Sequence, residues 1–569
     1  MNDSVPARGR TGGQILVECL KRQRVETAFC VPGESYLPVL DALHDAKDEI
    51  KLVVCRQEGG AAIMAEASGK LTGRPGVCFV TRGPGATNAS TGVHTAFQDS
   101  TPMVLFVGQV GRDMRDREGF QEVDFRAMFA PLAKWAAEIS DPKRIPEYVH
   151  RAFQTALAGR PGPVVLSLPE DILSEVVTGE IEFGLPAARL NAAPRPDQMR
   201  LLQERLSQAA RPILLLGGGD WSEEAGRNVM AFAAANQIPV AVSLRCQDFV
   251  DNTHPNYVGH LGIAAEPSLV SIIKDSDLLV AIGPRLGEMT TAGYTILRPP
   301  RPGKSLVHVY PDPEELGRVY QADLPINAGI EAFASALGQL PPCEPRQGWA
   351  EWTRAARADY EKSLEPLPQP GELDLGQVMM TLNRVLPGDT IICSGAGNYT
   401  GWVHRHWVFR KFRSQLAPTS GAMGYGVPAA VAAKVAFPHR MVVSVNGDGC
   451  FLMHGQELAT ATQYGTKILF LIVNNGMYGT IRMHQEREYP GKVYATALTN
   501  PDFVTLARSY GLASERVERT EDFEAALKRA MAAEGSSLIE LVVDQEALSV
   551  RTSLSKLRQT SLARQKANS

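Results

Sequence analysis

Short apolar runs that end in glycine-rich or polar turns recur along the chain, and this alternation predicts an α/β protein. In the last third, the run at residues 441–445 leads to Asp448, which is flanked by Gly447 and Gly449. A second run, at residues 468–473, stops at the pair Asn474-Asn475. Continuous apolar runs are typical of parallel strands that are buried on both faces. The intervening residues 450–464 are long enough for a crossover helix, so both strands would end at one edge of a sheet.

Asp448 and Asn475 are 27 residues apart and would meet at this edge. A carboxylate, an amide and a nearby backbone carbonyl form an incomplete shell of oxygen ligands, which suits Mg²⁺ shared with a substrate diphosphate. The alternative is structural, with a buried Asp that caps a helix and an Asn-Asn turn. The acid-glycine turn alone favours that alternative, whereas its spacing to the Asn pair favours the metal–diphosphate site.

The same pattern divides the chain into three blocks. Proline-rich, weakly periodic segments near residues 185–196 and 340–370 separate them. We predict domains over residues 1–185, 196–340 and 371–550, each with a doubly wound, mostly parallel sheet, and a basic tail over residues 551–569. Further strands are predicted at residues 51–55, 77–80, 103–107, 212–216, 278–282, 306–310 and 390–393.

Composition narrows the class of protein. The 569 residues are 44% hydrophobic and 21% charged, which is typical of globular proteins, and the net charge of −4 gives no reason to expect a nucleic-acid partner. No apolar stretch approaches the roughly 20 residues of a membrane helix. Eight cysteines without CxxC spacing favour reduced thiols, and the polar start lacks the apolar core of a secretory signal. We therefore expect a cytoplasmic enzyme.

The spacing of Asp448 and Asn475 resembles the thiamine diphosphate signature. Over nearly its whole length the chain resembles the thiamine-dependent family of acetolactate synthase, pyruvate decarboxylase and benzoylformate decarboxylase, and it is most similar overall to acetolactate synthase large subunits. The resemblance implies a pyrimidine-binding, a central and a diphosphate-binding domain. It also implies that Asp448, the Asn475 side chain and the Met477 carbonyl ligate Mg²⁺.

Further cofactor residues follow from the same resemblance. Glu58, in the segment CRQEGGAA, would hydrogen-bond the aminopyrimidine ring and act as a catalytic residue, the alternative being a helix cap. Residues 81–88, TRGPGATN, are similar to the family's TSGPGATN, with Arg82 in place of the usual Ser. Met423, among glycines, would be the wedge that folds the two cofactor rings together, or merely packing. The other expected cofactor contacts are Pro32, Pro84, Asn88, Gly397, Asn398, Tyr399, Gly447, Gly449 and Cys450.

Substrate-side residues depart from the family pattern. Phe120 and Gln121 match the acetolactate synthase segment AFQE, in which Gln contacts the substrate, with loop packing as the alternative. Glu34 stands where acetolactate synthases carry a small residue and pyruvate decarboxylases an acid. A carboxylate there would repel a substrate carboxylate and help decarboxylation or protonation. His484 stands nearest to the Trp with which acetolactate synthases select the acceptor, so the substrate is left open.

The predicted function is that of a thiamine diphosphate- and Mg²⁺-dependent 2-oxo acid decarboxylase or carboligase. The substrate would lose CO₂, and the remaining fragment would be protonated or joined to a carbonyl acceptor. The main alternative is a thiamine-dependent C–C lyase or hydrolase that acts without decarboxylation. A nicotinamide dehydrogenase and a non-catalytic thiamine-binding protein are further alternatives.

Three further expectations concern flavin binding, the oligomeric state and the C-terminal tail. Gly217–Gly219 and the Gly283-Pro284-Arg285 turn resemble the flavin segments of the family, but Tyr310-Pro311-Asp312 replaces its acidic pair, so FAD is possible and not favoured. The resemblance implies a homodimer or homotetramer in which Glu58 and Asp448 of different subunits act on one cofactor. We expect no membrane partner. The basic tail is predicted to be solvated, with a lid over the active site as the alternative.

Overall fold

Each predicted block forms one six-stranded parallel sheet with interleaved helices in the computed structural model of the protein. The structure describes residues 9–343 and 348–568. Residues 1–8 of the first predicted domain, positions 344–347 of the second linker and Ser569 of the tail lie outside the described residues. The predicted fold class, three doubly wound parallel-sheet domains, is confirmed.

The first sheet has the strand order β3-β2-β4-β5-β7-β6, and a small antiparallel pair, β1 and β8, lies outside it. Its strands are β1 Arg10–Thr11, β2 Thr27–Cys30, β3 Lys51–Val54, β4 Gly76–Val80, β5 Met103–Gln109, β6 Trp135–Glu138, β7 Pro163–Pro169 and β8 Val176–Val177. Its helices are α1 Gly12–Arg22, α2 Leu37–Asp45, α3 Glu58–Thr72, α4 Pro84–Asp99, α5 Phe125–Phe129, α6 Ile145–Leu157 and α7 Glu170–Ser174.

The central sheet has the order β11-β10-β9-β12-β13-β14, and the polarity of the winding reverses between β9 and β12. Its strands are β9 Pro212–Leu216, β10 Val240–Val242, β11 Tyr257–His260, β12 Leu278–Ile282, β13 Ser305–Tyr310 and β14 Leu324–Asn327. The helices of this region are α8 Pro196–Gln208, α9 Glu223–Asn236, α10 Pro267–Asp275, α11 Ile330–Gly338 and α12 Trp349–Ser363.

The C-terminal sheet has the order β16-β15-β17-β18-β20-β19. Its strands are β15 Ile391–Ser394, β16 Gln415–Leu416, β17 Val442–Gly447, β18 Leu469–Asn474, β19 Ala513–Val517 and β20 Ser537–Val542. Its helices are α13 Leu375–Val385, α14 Thr400–His406, α15 Gly426–Ala436, α16 Asp448–His454, α17 Leu458–Gln463, α18 Gly479–Glu488, α19 Phe503–Ser509, α20 Thr520–Ala532 and α21 Leu554–Asn568.

Central strands of these sheets are buried along their whole length, as the continuous apolar runs predict. All seven residues of β5 and all five of β9 are buried. Because helices cover such strands, neither face can carry a polar side chain without a partner, and polar residues collect in the turns after the strands. No helix among residues 9–343 and 348–568 is long and apolar enough to cross a membrane.

The chain forms two compact units, residues 1–190 and 191–569, so the second unit holds both the central and the C-terminal sheets. Buried polar contacts join these two sheets. The Arg245 guanidinium donates to the carbonyl of Gly395 at 2.9 Å. The Asp248 carboxylate accepts from the backbone N–H groups of Ser414 and Gln415, at 2.9 and 3.0 Å. Buried charged groups that are hydrogen-bonded in this way favour one arrangement, since breaking one such contact leaves its partner unpaired.

The tail contrasts with the solvated segment that its sequence predicts, because residues 554–568 form α21 and this helix packs against α18. Arg558 donates twice to the buried carboxylate of Glu486, at 2.8 and 2.6 Å. Leu554 and Leu557 pack beside Met477 and Met483. The helix therefore covers the segment that follows the Asn474-Asn475 pair.

Candidate active site

The carboxyl ends of β17 and β18 place Asp448 beside the Asn pair. The two strands pair in parallel with Gly447 opposite Val473, so Asp448 begins α16 as the Asn pair ends β18. Asp448 is 3% exposed. One carboxylate oxygen accepts from Gly449 N at 2.9 Å, and the other accepts from Gly476 N at 2.8 Å. The second bond links the Asp turn directly to the residue after Asn475.

Burial raises the pKa of the Asp448 carboxyl above its ordinary value, although hydrogen bonds from Gly449, Asn500 and Gly476 oppose the rise. All these donors are neutral amide N–H groups. Burial therefore penalises the charged form, and amides compensate for only part of the lost hydration. A bound cation would stabilise this carboxylate.

The groups near Asp448 supply oxygen ligands. The Asn475 side-chain oxygen accepts from Met477 N at 3.2 Å, which turns the amide back over the loop. Met477 is 5% exposed and forms an isolated antiparallel bridge with Ala497. No cluster of three His, Cys, Asp or Glu side chains suited to a metal occurs in the described parts of the chain. A single carboxylate with amide and carbonyl oxygens fits Mg²⁺ that takes its other ligands from a diphosphate and water.

Asn500 is a member of this cluster that the sequence analysis missed. Its side-chain N–H₂ donates to Asp448 at 2.8 Å and to the side-chain oxygen of Asn474 at 2.9 Å. Asn474 in turn donates to Glu540 at 2.7 Å. The Asn500 side-chain oxygen is buried and accepts no hydrogen bond from the residues that the structure describes. Asn500 therefore fixes the orientation of Asp448 and leaves one polar atom to be satisfied.

The turn before α14 and the start of α16 form a compact cradle. The Tyr399 hydroxyl donates to the Cys450 sulfur at 3.4 Å, and Gly424 N donates to the same sulfur at 3.2 Å. An added Cβ at Gly449 would lie 2.6 Å from the Tyr478 ring, so this turn has no room for a side chain. The packing of Tyr478 against Gly449 thus holds this turn in one position, and its role as a diphosphate contact stays a prediction.

Two other predicted cofactor residues lie close to this cradle. Met423, next to Gly424, is partly buried against the core of the C-terminal sheet. Asn398 accepts a hydrogen bond from Thr480 of α18 at 2.9 Å. Thus the predicted residues of this sheet gather at one edge, although the role of each as a cofactor contact stays a prediction.

The first sheet gathers a second set of predicted residues in the turns after β2, β3 and β4. Glu58 is the first residue of α3, and Asn88 on α4 donates to its carboxylate at 2.9 Å. The cap of α3 is Gln57, whose side chain accepts from Gly60 N at 3.1 Å. Because Gln57 takes the capping role, the Glu58 side chain is not needed as the cap of α3. Its carboxylate accepts from Asn88 and can also bind a ligand.

Pro32 and Pro84 flank a close contact between two turns of this sheet. The hydroxyls of Ser35 and Thr81, which follow β2 and β4, are 2.7 Å apart. Pro84 begins α4, the helix that carries Asn88. The predicted pyrimidine-pocket residues of the first block therefore lie on neighbouring turns.

Gln121 occupies a strained loop. Its φ is +64°, and Asp116 and Glu118 have φ values of +59° and +55°, a region that residues other than glycine rarely adopt. Gly83 also has positive φ, +57°, and an added Cβ there would lie 2.7 Å from the Gln121 Cβ. The Glu122 carboxylate accepts from the N–H groups of Asp116 and Gly119, at 2.9 and 3.0 Å. Strain that neighbours enforce in this way is typical of functional loops.

Comparison with known proteins identifies the family to which the chain belongs. The sequence matches three family models, described as the N-terminal TPP binding domain, the central domain and the C-terminal TPP binding domain of thiamine pyrophosphate enzymes, over residues 10–128, 199–337 and 395–541. The chain belongs to the thiamine pyrophosphate enzyme family. The predicted resemblance is thereby confirmed, and the family's domains contain the Glu58 and Asp448 clusters.

Similar proteins place this thiamine pyrophosphate enzyme near acetolactate synthases. It is 33% identical to the acetolactate synthase large subunit of Corynebacterium glutamicum, over 93% of this chain and 87% of the relative. It is 30% identical to the isozyme 2 large subunit of Escherichia coli, over 94% and 96% of the two chains. The mitochondrial catalytic subunit of Saccharomyces cerevisiae is also 30% identical, over 95% and 81%. The cytoplasmic location stays a prediction.

The two substrate-side departures have different surroundings in this thiamine pyrophosphate enzyme. Glu34 forms an ion pair with Arg82 at 3.2 Å, so a buried guanidinium offsets part of its charge. His484 is exposed on α18. The structure thus joins Glu34 to the Gln121 loop through Arg82, whereas the role of His484 stays a prediction.

The buried histidines of α14 are structural. His404 contacts the Gln247 side chain at 2.9 Å, and His406 contacts the Leu364 carbonyl at 3.0 Å.

In the central sheet of the enzyme, the glycine turns follow β9 and β12, the strands at which the winding reverses. Trp221 donates to the Gly217 carbonyl at 2.8 Å, and His308 contacts the Pro284 carbonyl at 2.9 Å. Tyr310 is 1% exposed at the end of β13. Such a switch point is the usual ligand crevice of this architecture, so FAD there stays an open prediction.

Proposed function

We propose that the protein is a thiamine diphosphate- and Mg²⁺-dependent enzyme that decarboxylates a 2-oxo acid and protonates the product or joins it to a carbonyl acceptor. The observation that carries the proposal is the buried Asp448 carboxylate beside Asn475 and Met477, in a chain of the thiamine pyrophosphate enzyme family. Similarity to acetolactate synthases supports the choice of a 2-oxo acid as substrate.

On the diphosphate side, Asp448, the Asn475 amide and the Met477 carbonyl would hold Mg²⁺, and Asn500 would keep the Asp448 carboxylate in place. The backbone at Gly449 and the turn at Asn398 would receive the phosphate oxygens. These groups bind and orient, and none of them exchanges a proton with the substrate. Their effect is to hold the reactive part of the cofactor in one position.

On the pyrimidine side, Glu58 would share a proton with a ring nitrogen of the cofactor, with Asn88 holding one carboxylate oxygen. The bound cofactor supplies a carbon nucleophile and an electron sink for the electrons released with CO₂. Gln121 would hydrogen-bond the substrate carbonyl and place it for attack. We further propose an oligomer in which Glu58 and Asp448 of different subunits serve one cofactor, as the family resemblance implies.

A substrate panel tests the proposal. Purified protein is incubated with thiamine diphosphate and Mg²⁺, with and without FAD, and with a series of 2-oxo acids of increasing side-chain size. Released CO₂ and any carboligation product are measured together. CO₂ that depends on both thiamine diphosphate and Mg²⁺ supports the proposal. Cleavage of a C–C bond without CO₂ from any 2-oxo acid would replace it with the lyase or hydrolase alternative.

Cofactor extraction gives an independent check. Acid extraction of the purified protein should yield a compound that is converted to fluorescent thiochrome. Recovery of a nicotinamide dinucleotide and no thiamine compound would overturn the assignment of the cofactor.

A further inference from the structure

Arg82 is a buried charge at the centre of the first sheet's turns, and its side chain joins three segments. It is 7% exposed. Its guanidinium donates to Glu34 at 3.2 Å, to Glu170 at 2.9 Å and to the backbone carbonyl of Phe120 at 3.0 Å. Arg82 follows β4, and its partners follow β2, β7 and β5, the strands next to β4 or one further along. The planar guanidinium suits this task because its N–H groups diverge in fixed directions.

The charges in this cluster do not cancel. One guanidinium faces two carboxylates, so the three groups together carry one net negative charge. The Glu34 side chain is 64% exposed, whereas that of Arg82 is 8% exposed. Glu34 therefore presents a carboxylate that is exposed on one side and held by the buried Arg82 on the other. Removal of Arg82 would leave two carboxylates without their shared counter-charge.

Arg82 also acts on the backbone of the strained loop. Phe120, whose carbonyl accepts from Arg82, immediately precedes Gln121. Gly83, the neighbour of Arg82, packs against the Gln121 Cβ. The positive φ of Gln121 is thus held from two sides by consecutive residues of one turn. Loss of either contact would release the loop towards a less strained conformation.

Glu34 and Arg82 are both departures from the acetolactate synthase pattern, with a small residue and a serine as their respective counterparts. Two such changes of opposite charge at hydrogen-bond distance form one physical unit. We propose that Arg82 and Glu34 together determine substrate specificity: Arg82 is a positioning residue for Gln121, and the pair sets the charge that a substrate carboxylate meets. This inference rests on the proposed function, because it assumes an anionic substrate near Gln121.

The test compares Arg82→Ser, Glu34→Gly and the double variant. For each protein, KM and kcat are measured with the best 2-oxo acid, and Ki is measured for the uncharged methyl ester of the same acid. Arg82→Ser should raise KM for the anion about tenfold or more, while Ki for the ester changes less than about twofold. Glu34→Gly in the Arg82→Ser background should bring KM back to within about threefold of the natural protein. Independent, additive effects of the two changes, or equal effects on anion and ester, would overturn the proposal.

A conservative variant separates charge from positioning. Arg82→Lys keeps the charge but cannot reach Glu34, Glu170 and the Phe120 carbonyl together. KM should stay close to that of the natural protein, whereas kcat should fall about tenfold because Gln121 is no longer fixed. Unchanged kcat would contradict the positioning role.

Arg112→Ser is the matched control. Arg112 lies in the same domain and also joins two carboxylates and a carbonyl, those of Asp171, Glu175 and Ser140. The Arg112→Ser substitution should lower Tm without changing the ratio of KM for the anion to Ki for the ester. If the natural protein decarboxylates no 2-oxo acid, the proposed function fails by itself. Thermal unfolding of the same variants then still tests the Arg82–Glu34 coupling, since additive shifts in Tm would refute the ion pair as one unit.

Discussion

The first and the C-terminal sheets are wound in the same way, and they differ in how charge is balanced at their carboxyl ends. Counted within each six-stranded sheet, both have the strand order 2-1-3-4-6-5. In the first, the buried guanidinium of Arg82 holds two carboxylates. In the C-terminal sheet, the buried Asp448 carboxylate receives only amide N–H groups from the residues described as its hydrogen-bond partners. One edge therefore supplies its own counter-charge, whereas the other is suited to a cation from outside.

The central sheet differs from both, since its strand order is 3-2-1-4-5-6. In its glycine turns, Trp221 donates to the Gly217 carbonyl and His308 contacts the Pro284 carbonyl, and Asp220 directly follows Gly219. The same layered architecture thus carries three different sets of residues at its strand ends. Fold alone does not assign a function to them; that assignment depends on the residues in the turns after the strands.

The largest effect is expected for Glu58→Gln in the first sheet. The amide cannot share a proton with the cofactor, so kcat should fall by about 10²–10⁴-fold, the range of general acid–base catalysis. Steady-state CO₂ release measures this loss, and thermal unfolding shows whether folding is intact. Glu147→Gln, an exposed change on α6 in the same domain, serves as the control. Retained activity of Glu58→Gln would remove Glu58 from the catalytic machinery.

Asp448→Asn tests the carboxyl end of the C-terminal sheet. The change keeps the size of the side chain and removes the charge, so affinity for thiamine diphosphate in the presence of Mg²⁺ should fall by more than about a hundredfold. The difference should disappear when Mg²⁺ is replaced by a chelator, because both proteins then lack the metal. Circular dichroism or protein fluorescence during cofactor titration measures the affinity without turnover. Equal Mg²⁺ dependence in both proteins would contradict a metal-binding Asp448.

Asn500→Ala is expected to have a smaller effect of the same kind, because Asn500 acts through Asp448. Loss of a residue that orients a metal ligand costs about 10–100-fold in affinity. The same titration measures it, with Thr505→Ala on α19 as a nearby control. If Asn500 were only structural, Tm would fall and the Mg²⁺-dependent part of cofactor affinity would not change.

The sequence predicts the strands of all three sheets that were named from apolar runs, usually within two residues, because burial on both faces demands an unbroken run. For example, β9 and β12 have the predicted bounds. Asp448 and Asn475 are also placed together from their spacing alone, since adjacent parallel strands end at one edge.

Contacts between side chains that are distant in sequence could not be predicted from the pattern of apolar runs. Asn500 lies 52 positions from Asp448, in a loop without apolar periodicity, and no rule of spacing joins it to β17. Arg82 and Glu34 were each noted as departures from the family, but their pairing depends on the order of β2 and β4 in the sheet. A sequence gives residue types at strand ends, whereas the partner of each charge follows only from the strand order.

The smallest expected effect concerns α21, which covers the segment that follows the Asn474-Asn475 pair of the C-terminal sheet. Arg558→Ala leaves the buried Glu486 with Arg482 and Gly491 N, so stability should fall by about 1–2 kcal/mol. Hydrogen exchange should localise the loss to α18 and α21. Arg564→Ala on the same helix is the control, and equal exchange in both variants would show that Arg558 does not hold α21.

The pH dependence of stability provides a second test of the contact between Arg558 and Glu486. The hydrogen bonds from Arg558 lower the pKa of Glu486 to about 2, from an ordinary value of 4.5. Because the folded pKa is depressed, the stabilisation is complete above about pH 4.5 and is lost as the pH falls towards 2. Glu486→Gln should remove this part of the pH dependence, so the protection factors of α21, which correct for the intrinsic pH dependence of amide exchange, should be equal at pH 3 and pH 6. If the natural protein kept α21 protected at pH 2, the packing of Leu554 and Leu557 beside Met477, rather than the ion pair, would hold the helix.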